Sequence, residues 1–293
     1  MRVIPNNITV SEGRFFIDVA EHGCGNGCKY CYISDPAGPQ VVIGYEKFIK
    51  SLNYILKHPD FKPGRNGSII TLSPNTEPLK SIESKRLVKE VFRYFLKNGN
   101  HIQIATKEIV DEDILNYIRN ARLYTEQVIV YITITTITNQ MIIEPYTSSI
   151  DRRLGNFLLL KKHAVLSCLY IKPIIQATID DIDKFGEVVT KYCPDLICVG
   201  FMTQKETTDD KGFDVLYRND KHFYNLLTLG ANKDIKNFSN YLASKSTGLV
   251  FNTSVCIWAF LNNSFPVPYI WRQFPELCME CRSCEQDYIN VNG

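Results

Sequence analysis

Three closely spaced cysteines near the start of the chain are the residues best suited to chemistry. Cys24, Cys28 and Cys31 lie in the run Cys-Gly-Asn-Gly-Cys-Lys-Tyr-Cys, whose glycines allow a tight bend. Three thiolates at this spacing can hold three irons of a [4Fe-4S] cluster and leave the fourth iron open to a substrate or cofactor. Tyr30 places an aromatic ring where a flat cofactor group could lie. A zinc site completed by His22 is the alternative, and the glycine-rich loop favours the iron–sulfur cluster.

A second cysteine group lies near the C-terminus. Cys278, Cys281 and Cys284 follow one another with two residues in each gap, which matches the first three ligands of a bacterial ferredoxin cluster. The fourth cysteine followed by proline that completes the ferredoxin pattern is missing, although Cys256 could supply a distant fourth ligand. We therefore predict a second Fe–S cluster in this tail, with a structural zinc site as the alternative.

Strand-like and helix-like segments alternate between residues 14 and 201. Six strand-then-helix units with short links predict an α/β fold with a parallel sheet, and a partial (β/α)6 TIM-like barrel is the architecture expected. A flat doubly wound sheet would show the same alternation. We expect residues 1–201 to form the barrel core and residues 202–293 to form a C-terminal extension that carries the Cys-rich site. The predicted strands are 14–20, 67–72, 101–105, 127–135, 164–175 and 196–201, and the predicted helices are 45–58, 81–97, 111–121, 149–162, 180–192 and 232–247.

Polar residues follow the predicted strands at the edge where parallel α/β folds bind their ligands. Thr76 and Glu77 follow the second strand, Lys107 ends the third, and Thr133 and Thr135 end the fourth. Each has a structural alternative, since threonine favours strands and the two charged residues could belong to solvated turns. Their position at the same edge of the sheet nevertheless favours a binding site.

The N-terminal cysteine run resembles the signature of the radical S-adenosylmethionine (SAM) superfamily, which has this spacing and an aromatic residue before the last cysteine. Further stretches are similar to motifs of the branch that contains spore photoproduct lyase and its DNA repair photolyase-like relatives. The resemblance covers roughly residues 14–200, and the extra C-terminal cysteine group departs from it. The stretches are 73–78, 105–108, 132–136, 144–145, 152–154 and 171–175.

The resemblance implies roles for individual residues. The three N-terminal cysteines would ligate the cluster. Thr76 and Glu77 would meet the amino group of SAM, Lys107 would reach its carboxylate, and Thr133 or Thr135 would bind its ribose.

The implied activity is that of an enzyme of lyase or oxidoreductase type. It would cleave SAM reductively to methionine and a 5′-deoxyadenosyl radical, which takes a hydrogen atom from a substrate. The implied partner is an electron donor of the flavodoxin or ferredoxin type. The branch suggests a nucleobase or nucleic-acid lesion as substrate, with Cys168 or Cys198 returning a hydrogen atom, whereas a C-terminal cluster is typical of enzymes that modify peptides or small molecules. The alternative is a non-enzymatic Fe–S or zinc protein that acts as a redox sensor or binding module and binds no SAM.

Composition sets the remaining expectations. The chain has 293 residues and a net charge of +2, so no strong basic field points to a long nucleic-acid duplex. It has no apolar run long enough to span a membrane and no secretory pattern at its start, which predicts a cytoplasmic protein without a membrane partner. Ten cysteines in such a protein favour metal binding over disulfides.

Overall fold

The computed structural model describes residues 5–11, 13–31, 37–200, 232–247 and 249–262. The strands are β1 (Ile8–Ser11), β2 (Arg14–Ile17), β3 (Ala20–His22), β4 (Val41–Val42), β5 (Ile69–Leu72), β6 (Ile102–Thr106), β7 (Val128–Thr133), β8 (Leu166–Ile171), β9 (Leu196–Val199) and β10 (Leu249–Phe251). The helices are α1 (Tyr45–Leu56), α2 (Ile82–Phe95), α3 (Glu112–Ala121), α4 (Gln140–Ile143), α5 (Ile150–Lys162), α6 (Gln176–Asp180), α7 (Ile182–Tyr192), α8 (Asn232–Lys245) and α9 (Ser254–Leu261).

The chain divides into two compact units. The first consists of Met1–Thr133 and Gln140–Cys168, and the second of Ile134–Asn139 and Leu169–Gly293. The boundary at Cys168 lies inside β8, so this strand contributes residues to both units.

The sheet of the first unit is mostly parallel. Its strands follow the order β1-β2-β5-β6-β7-β8, and β1 pairs with β2 in the antiparallel sense. β2, β5, β6 and β7 pair in the parallel sense, with Phe16 opposite Thr71 and Thr71 opposite Gln103. Parallel neighbours require crossover connections. α1, α2 and α3 provide them in turn, and the carboxyl ends of these strands therefore lie at one edge of the sheet.

Helix α2 illustrates how the local sequence forms these crossovers. The Ser81 hydroxyl accepts a hydrogen bond from the Ser84 backbone N–H at 3.0 Å, and the Ser84 hydroxyl accepts one from the Ser81 N–H, which completes a capping box. Leu87, Val91 and Phe95 recur every four residues and are buried. This apolar face forms the core of the unit together with the buried residues of β5 and β6.

The second unit contains the end of the parallel sheet. Its strand order is β8-β9-β10, and β10 pairs with β9 in the parallel sense with Leu249 opposite Leu196. The rings of Phe185 on α7 and Phe238 on α8 meet edge to face at 5.5 Å. α9 starts at the Thr253 cap and buries Cys256, the residue considered as a distant ligand for the tail.

The predicted α/β class with a mostly parallel sheet is confirmed. Strand β8 ends at Ile171 and not at 175, because Pro173 has no N–H to donate to a neighbouring strand. The expectation that the alternating pattern stops after residue 201 was wrong for β10, which joins the sheet after α8. No helix in the described part of the chain is long and apolar enough to cross a membrane.

Candidate cofactor site at the strand ends

The cysteine loop, residues 23–31, follows β3 in the first unit and depends on glycine at two positions. Gly23 and Gly27 have φ angles of +71° and +62°, the left-handed region that other residues rarely adopt. A Cβ atom on Gly23 would lie 2.2 Å from the Pro39 carbonyl oxygen, and one on Gly27 would lie 2.7 Å from a ring carbon of Tyr146. The loop can take this path only because these positions have no side chain.

The three cysteines of the loop are in no disulfide. Cys28 is buried, whereas Cys24 and Cys31 are partly exposed. Burial raises the pKa of the Cys24 thiol to about 11 and that of Cys28 to about 12, and the nearby Lys107 ammonium acts in the opposite direction. Binding of a metal removes such protons, because only thiolates ligate. Among the residues that the structure describes, no group of three or more His, Cys, Asp or Glu is arranged to hold a single metal ion.

The donor set fits a [4Fe-4S] cluster. Three thiols on one short loop can occupy three corners of a cube. All three cysteines belong to the first unit, which also contains the carboxyl ends of β5, β6 and β7.

Asn26 lies between the first two cysteines and fixes the loop to two other segments, one that contains Glu77 and Lys80 and one that contains Tyr146. Its side-chain amide donates to a Glu77 carboxylate oxygen at 3.4 Å, and its amide oxygen accepts from Lys80 Nζ at 3.0 Å. Its carbonyl oxygen accepts from the Tyr146 N–H at 3.3 Å. Lys80 also pairs with Glu108 at 2.9 Å, so the loop is linked through this lysine to the end of β6.

Glu77 is buried, and both of its carboxylate oxygens accept hydrogen bonds from the protein. One accepts from the Thr106 hydroxyl at 2.5 Å and the Leu79 N–H at 3.2 Å. The other accepts from the Lys107 N–H at 2.9 Å and from Asn26. Burial raises the pKa of Glu77 above its ordinary value. These four donors match the four lone pairs of a carboxylate. In this geometry Glu77 holds the cysteine loop to β6, and its contact with the SAM amino group stays a prediction.

A buried ion pair lies beside the cysteine loop. Arg153 on α5 and Glu144 are both inaccessible to solvent, and Arg153 Nη1 lies 2.7 Å from Glu144 Oε2. Glu144 Oε1 accepts a hydrogen bond from the Tyr30 hydroxyl and lies 3.9 Å from Lys107 Nζ. Arg153 also donates to the Thr133 carbonyl oxygen at 2.9 Å. The pair therefore contacts three residues that the sequence analysis assigned to cofactor binding: Tyr30, Lys107 and Thr133.

Both charges beside Tyr30 are stabilised in their ionised forms. Burial alone would raise the pKa of Glu144, but Arg153 and Lys107 hold it below the ordinary value. Burial alone would lower the pKa of Lys107, but Cys28 and the carboxyls of Glu144 and Glu77 raise it. The site thus keeps a carboxylate and an ammonium at neutral pH.

The Lys107 ammonium has no hydrogen-bond acceptor among the described residues. Its Nζ lies 3.9 Å from Glu144 Oε1 and 5.7 Å from the centroid of the Tyr30 ring, and Cys28 is also close to it. The whole side chain is 17% exposed. A lysine has three N–H donors, and no hydrogen bond from the described residues occupies them.

The threonines assigned to cofactor binding occupy different surroundings. The Thr76 hydroxyl donates to Asp18 at 3.4 Å, and the same carboxylate accepts two hydrogen bonds from Asn75. Thr133 ends β7 in the first unit. Thr135 belongs to the second unit, where its hydroxyl donates to the Lys172 carbonyl oxygen at 3.2 Å.

Four polar residues of this site were given no role by the sequence analysis: Asp18, Asn26, Lys80 and Glu108. Glu144 and Arg153 were placed in motifs without a role. A signal for Arg153 was present, because it shares the apolar face of α5 with Phe157 and Leu160, where a charge requires a partner. Cys278, Cys281 and Cys284 lie outside the described residues.

Comparisons with known proteins identify the fold. No model of a protein family matches the sequence, and no curated protein matches it. A point mutant of spore photoproduct lyase superposes with a TM-score of 0.54 and 13% identity, over 81% of this chain and 75% of that one. Spore photoproduct lyase complexed with dinucleoside spore photoproduct gives 0.51 and 14%, over 78% and 73%. Streptococcus suis SuiB bound to S-adenosylmethionine gives 0.56 and 10%, over 89% of this chain and 54% of SuiB.

The chain has the partial TIM-like barrel fold of these proteins. The sequence motifs indicated a resemblance to the radical SAM superfamily and to its spore photoproduct lyase branch, and spore photoproduct lyase is among the proteins that share this fold. The chain spans about half the length of SuiB.

Proposed function

We propose that this chain is a radical SAM enzyme. The observation that carries the proposal is the position of the cysteine loop beside Lys107, an ammonium without a hydrogen-bond acceptor in the described part of the chain. When bound to Cys24, Cys28 and Cys31, a [4Fe-4S] cluster would supply the electron that splits SAM into methionine and a 5′-deoxyadenosyl radical, which then takes a hydrogen atom from the substrate.

The residues around the loop support binding of SAM in a fixed orientation. Lys107 offers three donors to the SAM carboxylate, and a charge-assisted hydrogen bond is stronger than a neutral one. Tyr30 offers an aromatic face whose hydroxyl is anchored by Glu144. Thr76 and Glu77, in the loop after β5, and Thr133 at the end of β7 complete the proposed set of contacts in the first unit, and Thr135 is the alternative ribose contact.

Two substrate classes remain candidates. Spore photoproduct lyase has been captured with dinucleoside spore photoproduct, and another SuiB structure contains the precursor peptide SuiA. A nucleobase lesion and a peptide are accordingly both proposed for this chain, with lyase or oxidoreductase chemistry following from the substrate. Cys168 and Cys198 are buried in β8 and β9.

The proposal is tested by anaerobic reconstitution of the full chain, reduction with dithionite and measurement of 5′-deoxyadenosine. We expect product from the wild type and none from Cys28→Ala, because that variant lacks one cluster ligand. Cys193→Ala is the matched control, since Cys193 is an exposed cysteine at the end of α7. The proposal fails if the wild type forms no 5′-deoxyadenosine, or if Cys28→Ala forms as much as the control.

SAM binding is measured separately by calorimetry on the reconstituted protein. Loss of a hydrogen bond between charged groups costs about 1.5–3 kcal/mol, so Lys107→Met should weaken SAM binding by about 10- to 100-fold. Lys161→Met, which removes an exposed lysine of α5, should leave the affinity unchanged. A redox sensor or binding module built on the same cysteines would bind no SAM in any of these proteins.

The tail and the electron donor are the remaining proposals. If Cys278, Cys281 and Cys284 hold a second cluster, the reconstituted protein should contain about seven to eight irons. A count near four with zinc present would favour the structural zinc site instead. The electron is proposed to come from a protein of the flavodoxin or ferredoxin type.

A further inference from the structure

We infer that Arg153 and Glu144 are positioning residues that hold the Lys107 ammonium ready for the carboxylate of SAM. The inference rests on the proposed function and adds two residues to which the sequence motifs gave no role. Both residues would act on the ligand through Lys107 and Tyr30.

The distance between Glu144 and Lys107 is the first argument. At 3.9 Å, Glu144 Oε1 is too far from Lys107 Nζ for a hydrogen bond but close enough for a strong attraction between buried charges. The carboxylate therefore holds the ammonium in place without occupying any of its N–H donors. Those donors remain free for a second, closer anion.

The second argument is that Glu144 cannot move closer. Its Oε2 is held by Arg153 at 2.7 Å, and its Oε1 accepts the hydroxyl of Tyr30. Arg153 is itself fixed, since it also donates to the Thr133 carbonyl, to the Ser148 carbonyl at 2.8 Å and to Thr147. The carboxylate is anchored on both sides at a distance that keeps the lysine available.

The third argument comes from the cost of burial. Arg153 and Glu144 are both completely buried, and a buried ion pair is often no more stabilising than an apolar pair of the same size. An apolar pair at this place could not donate to the Thr133 and Ser148 carbonyl oxygens. It also could not hold the neighbouring ammonium in position.

The test compares two ligands, SAM and decarboxylated SAM, which lacks only the carboxylate. Their dissociation constants are measured by anaerobic calorimetry on the reconstituted full chain, and the ratio reports recognition of the carboxylate. We expect the wild type to prefer SAM by at least tenfold and Lys107→Met to show a much smaller preference.

Glu144→Gln keeps the shape of the side chain and removes its charge. We expect it to reduce the preference for SAM by about three- to tenfold, because the ammonium is no longer held in place. If Glu144 only repelled the ligand, the same variant would strengthen binding of SAM, and an unchanged or increased preference overturns the inference. Glu90→Gln is the matched control, because Glu90 is a buried carboxylate paired with Arg93 on α2, and it should not change the ratio.

A second variant covers the case in which Glu144→Gln fails to fold. Tyr30→Phe leaves every charge in place and removes one hydroxyl. Glu144 Oε1 would then be free to bond directly to Lys107, so the preference for SAM should fall although no charge has changed. A preference equal to that of the wild type overturns the inference. If the wild type binds neither ligand, the proposed function fails as well, whereas a preference for SAM that neither variant alters refutes the positioning role alone.

Discussion

Substitution of Gly23 by alanine should destabilise the cysteine loop by more than the addition of one methyl group usually does. The Cβ would lie 2.2 Å from the carbonyl oxygen of Pro39 and 2.9 Å from its carbonyl carbon. Both neighbours are backbone atoms, which cannot rotate away as a side chain can. Relief therefore requires displacement of the chain at residues 38–39 or of the loop itself.

The magnitude has two parts. Residues other than glycine lose about 1–2 kcal/mol in the left-handed conformation that Gly23 adopts at φ +71°. Forcing extra atoms into a packed region costs about 1–3 kcal/mol more. Gly13 separates the two parts, because its φ is +78° but a Cβ there would have nothing within 4 Å. Gly13→Ala should therefore lose only the first part.

Urea unfolding of the metal-free protein measures this difference. We expect Gly23→Ala to lose about 1–3 kcal/mol more stability than Gly13→Ala, and to take up less iron after anaerobic reconstitution. Equal losses of stability in the two variants, together with equal iron contents, would refute the close approach of Pro39 as the reason for glycine at this position.

Three further outcomes are expected. Burial lowers the pKa of His101 from 6.5 to about 3. As the pH falls below 6.5, the histidine therefore takes up a proton in the unfolded chain but not in the folded one. The free energy of unfolding should then decline by about 1.4 kcal/mol per pH unit towards pH 3. His101→Gln should lessen this decline in urea titrations at pH 7, 6 and 5, and identical slopes would contradict the assignment. Ser81→Ala removes the cap of α2 and should cost about 1 kcal/mol in thermal unfolding, a loss that Ser81→Asp should largely avoid because aspartate also caps helices. Lys80→Met breaks the contacts with Asn26 and Glu108, so a chelator should remove iron faster than from Lys85→Met, which breaks an ion pair between α2 and Asp111.

The cysteine loop could be located from the sequence because its three cysteines are neighbours along the chain. The same holds for α2, whose Ser81 cap and apolar period are local signals. β10 could not be predicted, since a three-residue segment becomes a strand only through its pairing with β9.

The polar contacts of the site depend on pairings that the sequence does not show. Tyr30 and Glu144 are 114 positions apart, and Asn26 and Glu77 are 51 apart. The sequence motifs placed Glu77 at the cofactor, whereas the structure also shows four protein donors around its carboxylate. Only the folded chain reveals which polar residues position others.

The hydrogen bonds that hold the cysteine loop in place affect how a metal would enter it. The Lys29 N–H donates to the Ile143 carbonyl at 2.9 Å, and Asn26 contacts Glu77, Lys80 and Tyr146, so the conformational entropy of this region is lost when the chain folds. In small zinc domains the metal itself drives folding. Here we expect inorganic iron and sulfide to bind a loop that is already ordered, with little change in secondary structure between the apo and holo forms.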